Sequence, residues 1–243
     1  MATFVLVHGG FQGGWSFKPL ARQLREAGHE VYVATLTGLG ERCHLIGLPI
    51  NLDTHLADVA NMILWEDLTD VVLVGHSYGG MIITGVADSL PDRVSMLVYL
   101  DAAVPEDGDT LFSLRPEYQE YFLNSVATTD GRLIKAPPAS ARDAAAKHWQ
   151  LINDKNVPHP ITCFTQAIRL TGAHTSVRRR LYIYAEGNLF DGAYDRFRGE
   201  AGSEVICVAD AGHSIMLDQP EVVCSILLTA IAGAAPPELG RSA

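Results

Sequence analysis

The apolar run Val71-Val72-Leu73-Val74 stops at Gly75-His76-Ser77-Tyr78-Gly79, and a helix-like segment from Gly80 to Leu90 follows at once. This junction constrains the fold more than any other part of the chain. A buried strand that turns directly into a helix needs small residues on both sides of the turn, so that the two backbones can pass. Glycines at 75 and 79 meet that need. The residue between them sits on a sharp bend with its side chain exposed, which suits a serine nucleophile. An ordinary Gly-rich turn is the competing reading, and the flanking strand and helix argue against it.

Other apolar runs repeat the strand pattern. Phe4 to Val7 ends in His8-Gly9-Gly10, and Val31 to Ala34, Met96 to Leu100, Leu181 to Ala185 and Glu204 to Val208 bring the total to about six strands. Helical periodicity from Phe17 to Ala27 stops at Gly28, and residues 35 to 52 read as loop. Asp53 is suited to cap a helix reaching about Leu64. Pro220 opens a final helix to about Ile231, where its missing amide hydrogen costs little. Strands that are apolar throughout and alternate with helices predict an α/β fold with a mostly parallel sheet covered on both faces.

The stretch 105–177 breaks the alternation. It carries Pro137-Pro138 and His159-Pro160, with helix-like pieces at about Pro116 to Ser125, Ala139 to Leu151 and Thr162 to Leu170. It is expected to form a helical cap inserted over the carboxyl edge of the sheet. The core is then 1–104 and 178–234, the cap 105–177, and 235–243 a frayed tail.

The 243 residues, 48% of them hydrophobic, can fill one core with a small lid. A net charge of −10 repels phosphate backbones and excludes nucleic acid as a partner. No run reaches the roughly 18 apolar residues that cross a bilayer. Met1-Ala2-Thr3 enters the first strand without a signal-peptide pattern. Cys43, Cys163, Cys207 and Cys224 are far apart and form no CxxC pair. They read as reduced thiols of a cytoplasmic protein, with Cys207 and Cys224 in the core, and imply neither a metal nor a disulfide framework. A monomer or a homodimer fits equally well.

A serine hydroxyl is a weak nucleophile and needs a base, and the base needs an orienting acid. His213, in Ala211-Gly212-His213-Ser214, follows the sixth strand and precedes the last helix. Parallel strands gather their carboxyl ends, so Ser77 and His213 can meet. His8 reads as a brace for the glycine loop beside it. His76 is tied to its strand and is poorly placed to act as the base. His44, His55, His148, His159 and His174 show no pattern that assigns a role; His148, His159 and His174 read as surface residues, with pocket lining as the alternative. The acid stays open between Asp101, which ends the fourth strand, and Glu186, which ends the fifth. Asp191, Asp210 and Asp218 are weaker candidates, and Asp218 reads as exposed. Asp101 has the better local case, because a charge closing an apolar strand needs a partner. Donors for a developing oxyanion are expected from the backbone amides of Tyr78 and, in Gly9-Gly10-Phe11-Gln12-Gly13-Gly14, of Gly10. That loop lacks the lysine of a phosphate cradle and the spacing of a dinucleotide fingerprint, so no cofactor is expected.

With these motifs together the chain resembles the α/β-hydrolases, and among them the small-cap group of plant hydroxynitrile lyases, plant methyl-ester esterases and similar bacterial esterases. The resemblance rests on His8-Gly9-Gly10 with Gly13-Gly14-Trp15, on Gly38-Leu39-Gly40, on Gly75 to Gly80, on Val98 to Asp101 with Pro105, and on Gly212-His213. It implies an α/β-hydrolase fold with Ser77 as nucleophile, His213 as general base and Gly10 and Tyr78 as the oxyanion hole. The family's usual acid follows the strand that here is Leu181 to Ala185. The matching position holds Gly187, between Glu186 and Asn188. Some members carry the acid one strand earlier, which points to Asp101.

The resemblance also separates reactions. The lyases carry a lysine after the histidine, where this chain has Ser214, and a threonine where it has Gly9. Dehalogenases and epoxide hydrolases place an aspartate where Ser77 stands, while a cofactor-free dioxygenase would keep the serine and histidine. The expectation is a hydrolase of a small, largely apolar carboxylic ester, working through an acyl-enzyme. A carbamate or amide hydrolase with the same triad and a slow-turnover ligand-binding protein are the alternatives. Phe11, Trp15, Phe112, Tyr118, Trp149 and Phe164 are expected to line the pocket.

Overall fold

The computed structural model describes residues 1–129, 131–186, 197 and 202–233. Its strands are β1 (Thr3–Val7), β2 (Glu30–Ala34), β3 (Val71–His76), β4 (Val94–Leu100), the two-residue β5 (Leu133–Ile134) and β6 (His159–Pro160), β7 (Arg179–Ala185) and β8 (Ser203–Val208). Six of them form one sheet in the order β2-β1-β3-β4-β7-β8, with every neighbouring pair parallel. Strands β5 and β6 form a separate antiparallel pair. This is the α/β-hydrolase arrangement that the sequence predicts.

The chain runs outward from β1 to β2 and then returns to the other side of β1 for β3. That reversal opens a crevice at the carboxyl ends of β1 and β3, which is where open α/β sheets bind ligands. Both Gly10 and Ser77 lie just beyond those two ends.

The sheet is buried on both faces because side chains alternate between two cores. Val71 and Leu73 of β3 pack with one cluster, under the helices α2 (Leu52–Trp65) and α3 (Gly79–Ser89). Val72 and Val74 pack with the other, under the helix α1 (Lys18–Glu26) and the closing helix Pro220–Ile231. In and just before α1, Phe17, Leu20, Ala21 and Leu24 supply the buried stripe at helical spacing.

Several local expectations need correction. The start of α2 is capped by Asn51, not Asp53: the Asn51 carboxamide accepts from the Thr54 amide at 3.0 Å, and the Thr54 hydroxyl accepts from the Asn51 amide. Asp53 falls inside the first turn. In the stretch 105–177 the pieces are shorter than the periodicity suggests. Helix forms over Gln119–Val126 after a 3-10 turn at Pro116–Tyr118, over Trp149–Lys155 after a 3-10 turn at Ala146–His148, and over Thr162–Thr165, while Ala139 to Ala145 is irregular. Ser140 is one reason, because its amide and hydroxyl both donate to the Asp143 carboxylate in a local turn that competes with helix. Cys224 is buried, but Cys207 lies exposed on the edge strand β8. Among the described residues no helix is long and apolar enough to cross a membrane.

Candidate active site

Ser77 follows β3 with φ of 54°, in the left-handed region that a side chain adopts only when its surroundings enforce it. The enforcement is visible on every side. The Ser77 amide donates to Leu100 O at 3.3 Å, and the Ser77 carbonyl accepts from the amides of Gly80 and Ala103, each at 3.0 Å. A methyl group at Gly75 would come within 2.6 Å of Gly79 O, and one at Gly79 within 2.6 Å of Val7 O. The two glycines of the motif are therefore required by the approach of β3, α3 and β1.

His213 sits on the loop after β8. Its Nδ1–H donates to Asp101 Oδ2 at 2.8 Å, which leaves the lone pair on Nε2. Asp101 is almost fully buried and, like Ser77, has a left-handed backbone, with φ of 43°. Its amide donates to Ile183 O at 2.7 Å, fixing the turn at the end of β4. Burial pushes the His213 imidazole down, to about 3, with the Asp143 carboxylate opposing and the Arg115 and Arg142 guanidinium groups adding. The Asp101 carboxylate at Nδ1 favours the charged ring and counteracts burial. The result is a neutral resting imidazole whose protonated form has a partner in place. Glu186, the alternative acid, lies exposed at the end of β7, its amide bonded to Val208 O. Asp191, Gly187 and Asn188 lie outside the described residues.

The loop that carries His213 is stitched to the segment around Arg142 and Asp143. The His213 and Ser214 amides donate to Arg142 O and Asp143 O, at 2.9 and 2.7 Å. Asp218, expected at the surface, is buried instead. Its carboxylate accepts from Gly212 N at 2.8 Å and from Ala145 N at 2.9 Å. A methyl group at Gly212 would meet Ala144 N at 2.7 Å, so the close approach of the two segments requires glycine there.

Two further histidines support the site from behind. Leu36 N–H donates to His8 Nε2 at 3.1 Å, so His8 Nδ1 carries the proton and donates to Gly9 O at 2.8 Å. This is the brace that the sequence suggests for the glycine loop. His76 Nε2–H donates to the His213 carbonyl at 2.9 Å, and the two rings lie 4.5 Å apart. His76 therefore holds the backbone of the candidate base. Burial pushes the His8 imidazole down to about 4 and the His76 imidazole well below the usual range, so both are neutral.

Ser77, His213, Gly10 and Tyr78 line one cavity of about 140 Å³. No hydrogen bond from the backbone amide of Gly10 or Tyr78 is found among the described residues. Of the six expected pocket residues, Phe11, Tyr118 and Phe164 line this cavity and three do not. Phe112 packs behind the lining, its ring 6.0 Å from that of Phe122. Trp149 donates its indole N–H to Ala144 O at 2.8 Å, a bond between neighbouring turns of its own segment. Trp15 packs beside the cluster of Ala144, Ile152 and Leu217. The Trp15 indole thus fills the junction between the segment of Ala144 and Ile152 and the Leu217 turn, away from the cavity. Gln12, Arg115, Phe122, Asp143 and Asn156 also line the cavity, and the sequence singled out none of them as lining. The only signal for Gln12 is its place inside the glycine loop. The others come from the stretch 105–177, where no motif marks them.

His55, His159 and Cys163 bring three potential metal ligands within 4.8 Å of one another. All three are buried, and for His159 this overturns the expected surface position. Their bonding fits packing around Tyr78 and not a metal. His55 Nε2–H donates to Thr37 O at 2.9 Å, and its Nδ1 accepts from the Tyr78 hydroxyl at 3.0 Å, so it has no lone pair to spare. Burial pushes the Cys163 thiol up to about 12, whereas ligation requires the thiolate.

The family model described as "Alpha/beta hydrolase family" matches residues 4–226. The chain is 40% identical over 235 residues to a carbendazim hydrolyzing esterase of Nocardioides sp. (strain SG-4G), covering 90% of this chain and 96% of that one. It is 28% identical to polyneuridine aldehyde esterase of Rauvolfia serpentina, covering 93% and 94%. Among solved structures, an extracellular alpha/beta-hydrolase from a Paenibacillus species superposes with a TM-score of 0.82 at 24% identity, covering 95% of this chain and 99% of that one. The chain belongs to the alpha/beta hydrolase family.

Proposed function

We propose that the chain cleaves a small, largely apolar carboxylic ester or carbamate through a covalent intermediate on Ser77. Its relatives are esterases along nearly their whole length, and the chain is a carboxylic ester hydrolase. The observation that carries the residue assignment is the 2.8 Å bond from His213 to Asp101 in a cavity that Ser77 also lines. An imidazole oriented in this way offers Nε2 to the serine hydroxyl.

In this reading His213 takes the Ser77 proton as Oγ attacks the carbonyl carbon. The amides of Gly10 and Tyr78 receive the oxyanion. His213 then gives the proton to the leaving alcohol, and the acyl group remains on Ser77. Water, deprotonated by the same imidazole, attacks the acyl carbon and releases the acid. The name of the Nocardioides relative favours an ester-type substrate of modest size, and the walls of Phe11, Tyr118, Phe122 and Phe164 suit a planar apolar group.

The test is labelling with an aryl phosphonate, followed by intact mass and peptide mapping. The expected result is one adduct, on Ser77, with a burst of nitrophenol from an activated aryl ester that Ser77→Ala abolishes. Saturable ligand binding without any turnover that depends on Ser77 would overturn the reading.

A further inference from the structure

Two loops carry the proposed chemistry, and one side-chain bond joins them. The glycine loop after β1 holds Gly10, and the loop after β8 holds His213. Gln12 Nε2 donates to Ser214 Oγ at 3.3 Å, across 202 positions of sequence. Both residues are buried, Gln12 to 6% and Ser214 to 1% exposure, and both line the cavity. Among the described residues no other hydrogen bond links residues 8–14 to residues 209–219.

Each loop is otherwise anchored elsewhere. Phe11, between Gly10 and Gln12, has a left-handed backbone with φ of 66°, and its carbonyl accepts from Val157 N at 2.9 Å. A methyl group at Gly13 would come within 2.7 Å of Gly40 Cα, so the far end of the loop is fixed by a close backbone contact. The His213 and Ser214 amides are held by Arg142 O and Asp143 O. Ser214 O accepts from the amides of Leu217 and Asp218, at 2.8 and 3.2 Å, as the next helical turn begins. Backbone contacts place each loop separately, and the Gln12 side chain registers one against the other.

Stability does not account for this carboxamide. Gln12 Oε1 is buried with no hydrogen-bond partner. A buried acceptor without a donor costs at least as much as one neutral hydrogen bond returns. Turning the carboxamide over does not relieve the cost. The Ser214 hydroxyl can accept or donate, so the bond survives, but one polar atom stays unpaired in either orientation. An apolar pair at the two positions would avoid the penalty altogether. The reaction supplies the missing reason. The oxyanion develops against the Gly10 amide while the leaving oxygen takes its proton from His213, so one carbonyl group has to fit between both loops. A displacement of about 1 Å in such a span can cost about 10²-fold in rate.

We infer that Gln12 is a positioning residue, which through Ser214 sets the span between the Gly10 oxyanion donor and His213. The inference rests on the serine hydrolase reading above. In this role Gln12 touches none of the reacting atoms. Its bond matters in the transition state, where both loops act at once, and little in the ground state.

A double-substitution cycle tests this on the full chain: Gln12→Met, Ser214→Ala and both together. The measurements are kcat and KM for 4-nitrophenyl phenylacetate and the midpoint of urea unfolding. Each single substitution is expected to lower kcat about tenfold and to change KM by less than about twofold. The double variant should lose about tenfold as well, because the two side chains act through one bond. Its unfolding midpoint should match or exceed that of the unsubstituted protein, since both partners and the unpaired oxygen are gone. A double variant as stable as its parent yet slower separates positioning from folding. The affinity for a trifluoromethyl ketone, which forms an oxyanion on Ser77, should fall by about the same factor as kcat. Unsubstituted kcat in Ser214→Ala protein overturns the inference whether or not the Gln12 variants fold. So do losses that multiply in the double variant, and so does a double variant that regains both stability and kcat. The hydrolase reading fails separately, and takes the inference with it, if unsubstituted protein neither turns over the phenylacetate nor takes a phosphonate on Ser77.

Discussion

Asp101 accepts its hydrogen bond from His213 across 112 positions of sequence, and it does so from a left-handed turn at the end of β4. Under the proposed chemistry this bond sets the tautomer, with the proton on Nδ1 and the lone pair on Nε2. Asp101→Asn keeps the shape but offers an N–H to Nδ1, which drives the proton onto Nε2. The expected loss in kcat on an activated aryl ester is about 10³-fold or more. Glu186→Gln is expected to stay within about twofold. Near-full turnover by Asp101→Asn would remove Asp101 from this role.

The same pair governs the acid limb of activity. The base must be unprotonated to act, and burial pushes the His213 imidazole below its ordinary 6.5. Activity should therefore persist as pH falls through 6.5, and the midpoint of the acid limb of kcat/KM should lie below that value. Removing the Asp101 carboxylate takes away the charge that favours imidazolium. In Asp101→Asn the limb should move to still lower pH while the plateau falls. A midpoint above 6.5, or an upward shift in the variant, would contradict the assigned electrostatics.

The fold and the central pair of residues are legible in the sequence because both rest on local patterns. Val71–Val74 followed by Gly75 and Gly79 requires a strand-to-helix turn with two backbones in contact, and the contacts at 2.6 Å bear that out. Asp101 could be weighed from its place after an apolar strand. The pocket was far less legible. Trp15 and Trp149 look like lining residues because they are aromatic, yet Trp15 packs beside Ala144, Ile152 and Leu217, and Trp149 bonds within its own segment. Asn156 and Asp143 reach the cavity through the path of an irregular segment, which no periodicity encodes. His55 and His159 show the same limit. Their burial depends on the Tyr78 side chain, which His55 bonds and His159 packs against, and Tyr78 belongs to another element.

Asp218 supplies a test of the connection between the Ala145 segment and the loop of the candidate base. Its carboxylate holds Gly212 N and Ala145 N together. Asp218→Ala would leave two part-buried amides without an acceptor. The expected cost is about 2 kcal/mol in urea unfolding. Loosening the loop should also lower kcat by about tenfold with a smaller change in KM, because the candidate base loses its position. Asp218→Asn retains one acceptor oxygen and should fall between. Faster amide exchange over 140–146 and 211–214 in the alanine variant would locate the effect. Unchanged exchange in both segments would show that other contacts hold them.

Buried neutral histidines predict how the fold responds to acid. Burial pushes His8 and His55 down to about 4 from an unfolded value of 6.5. Above pH 6.5 neither the folded nor the unfolded state binds these protons, and their contribution to stability is complete. Between 6.5 and 4 the unfolded chain takes up protons that the folded chain refuses, so stability falls as pH falls. The slope is about 1.4 kcal/mol per pH unit for each residue, or roughly 3 kcal/mol each across the window. His76 and His159 are pushed down further and add to the same trend. Urea midpoints from pH 7.5 to 4.5 should be flat above about 6.5 and then decline steeply. His8→Gln should remove one residue's share of that slope, whatever it does to stability at pH 7.5. A decline of undiminished slope in that variant would mean that His8 takes up its proton in the folded state.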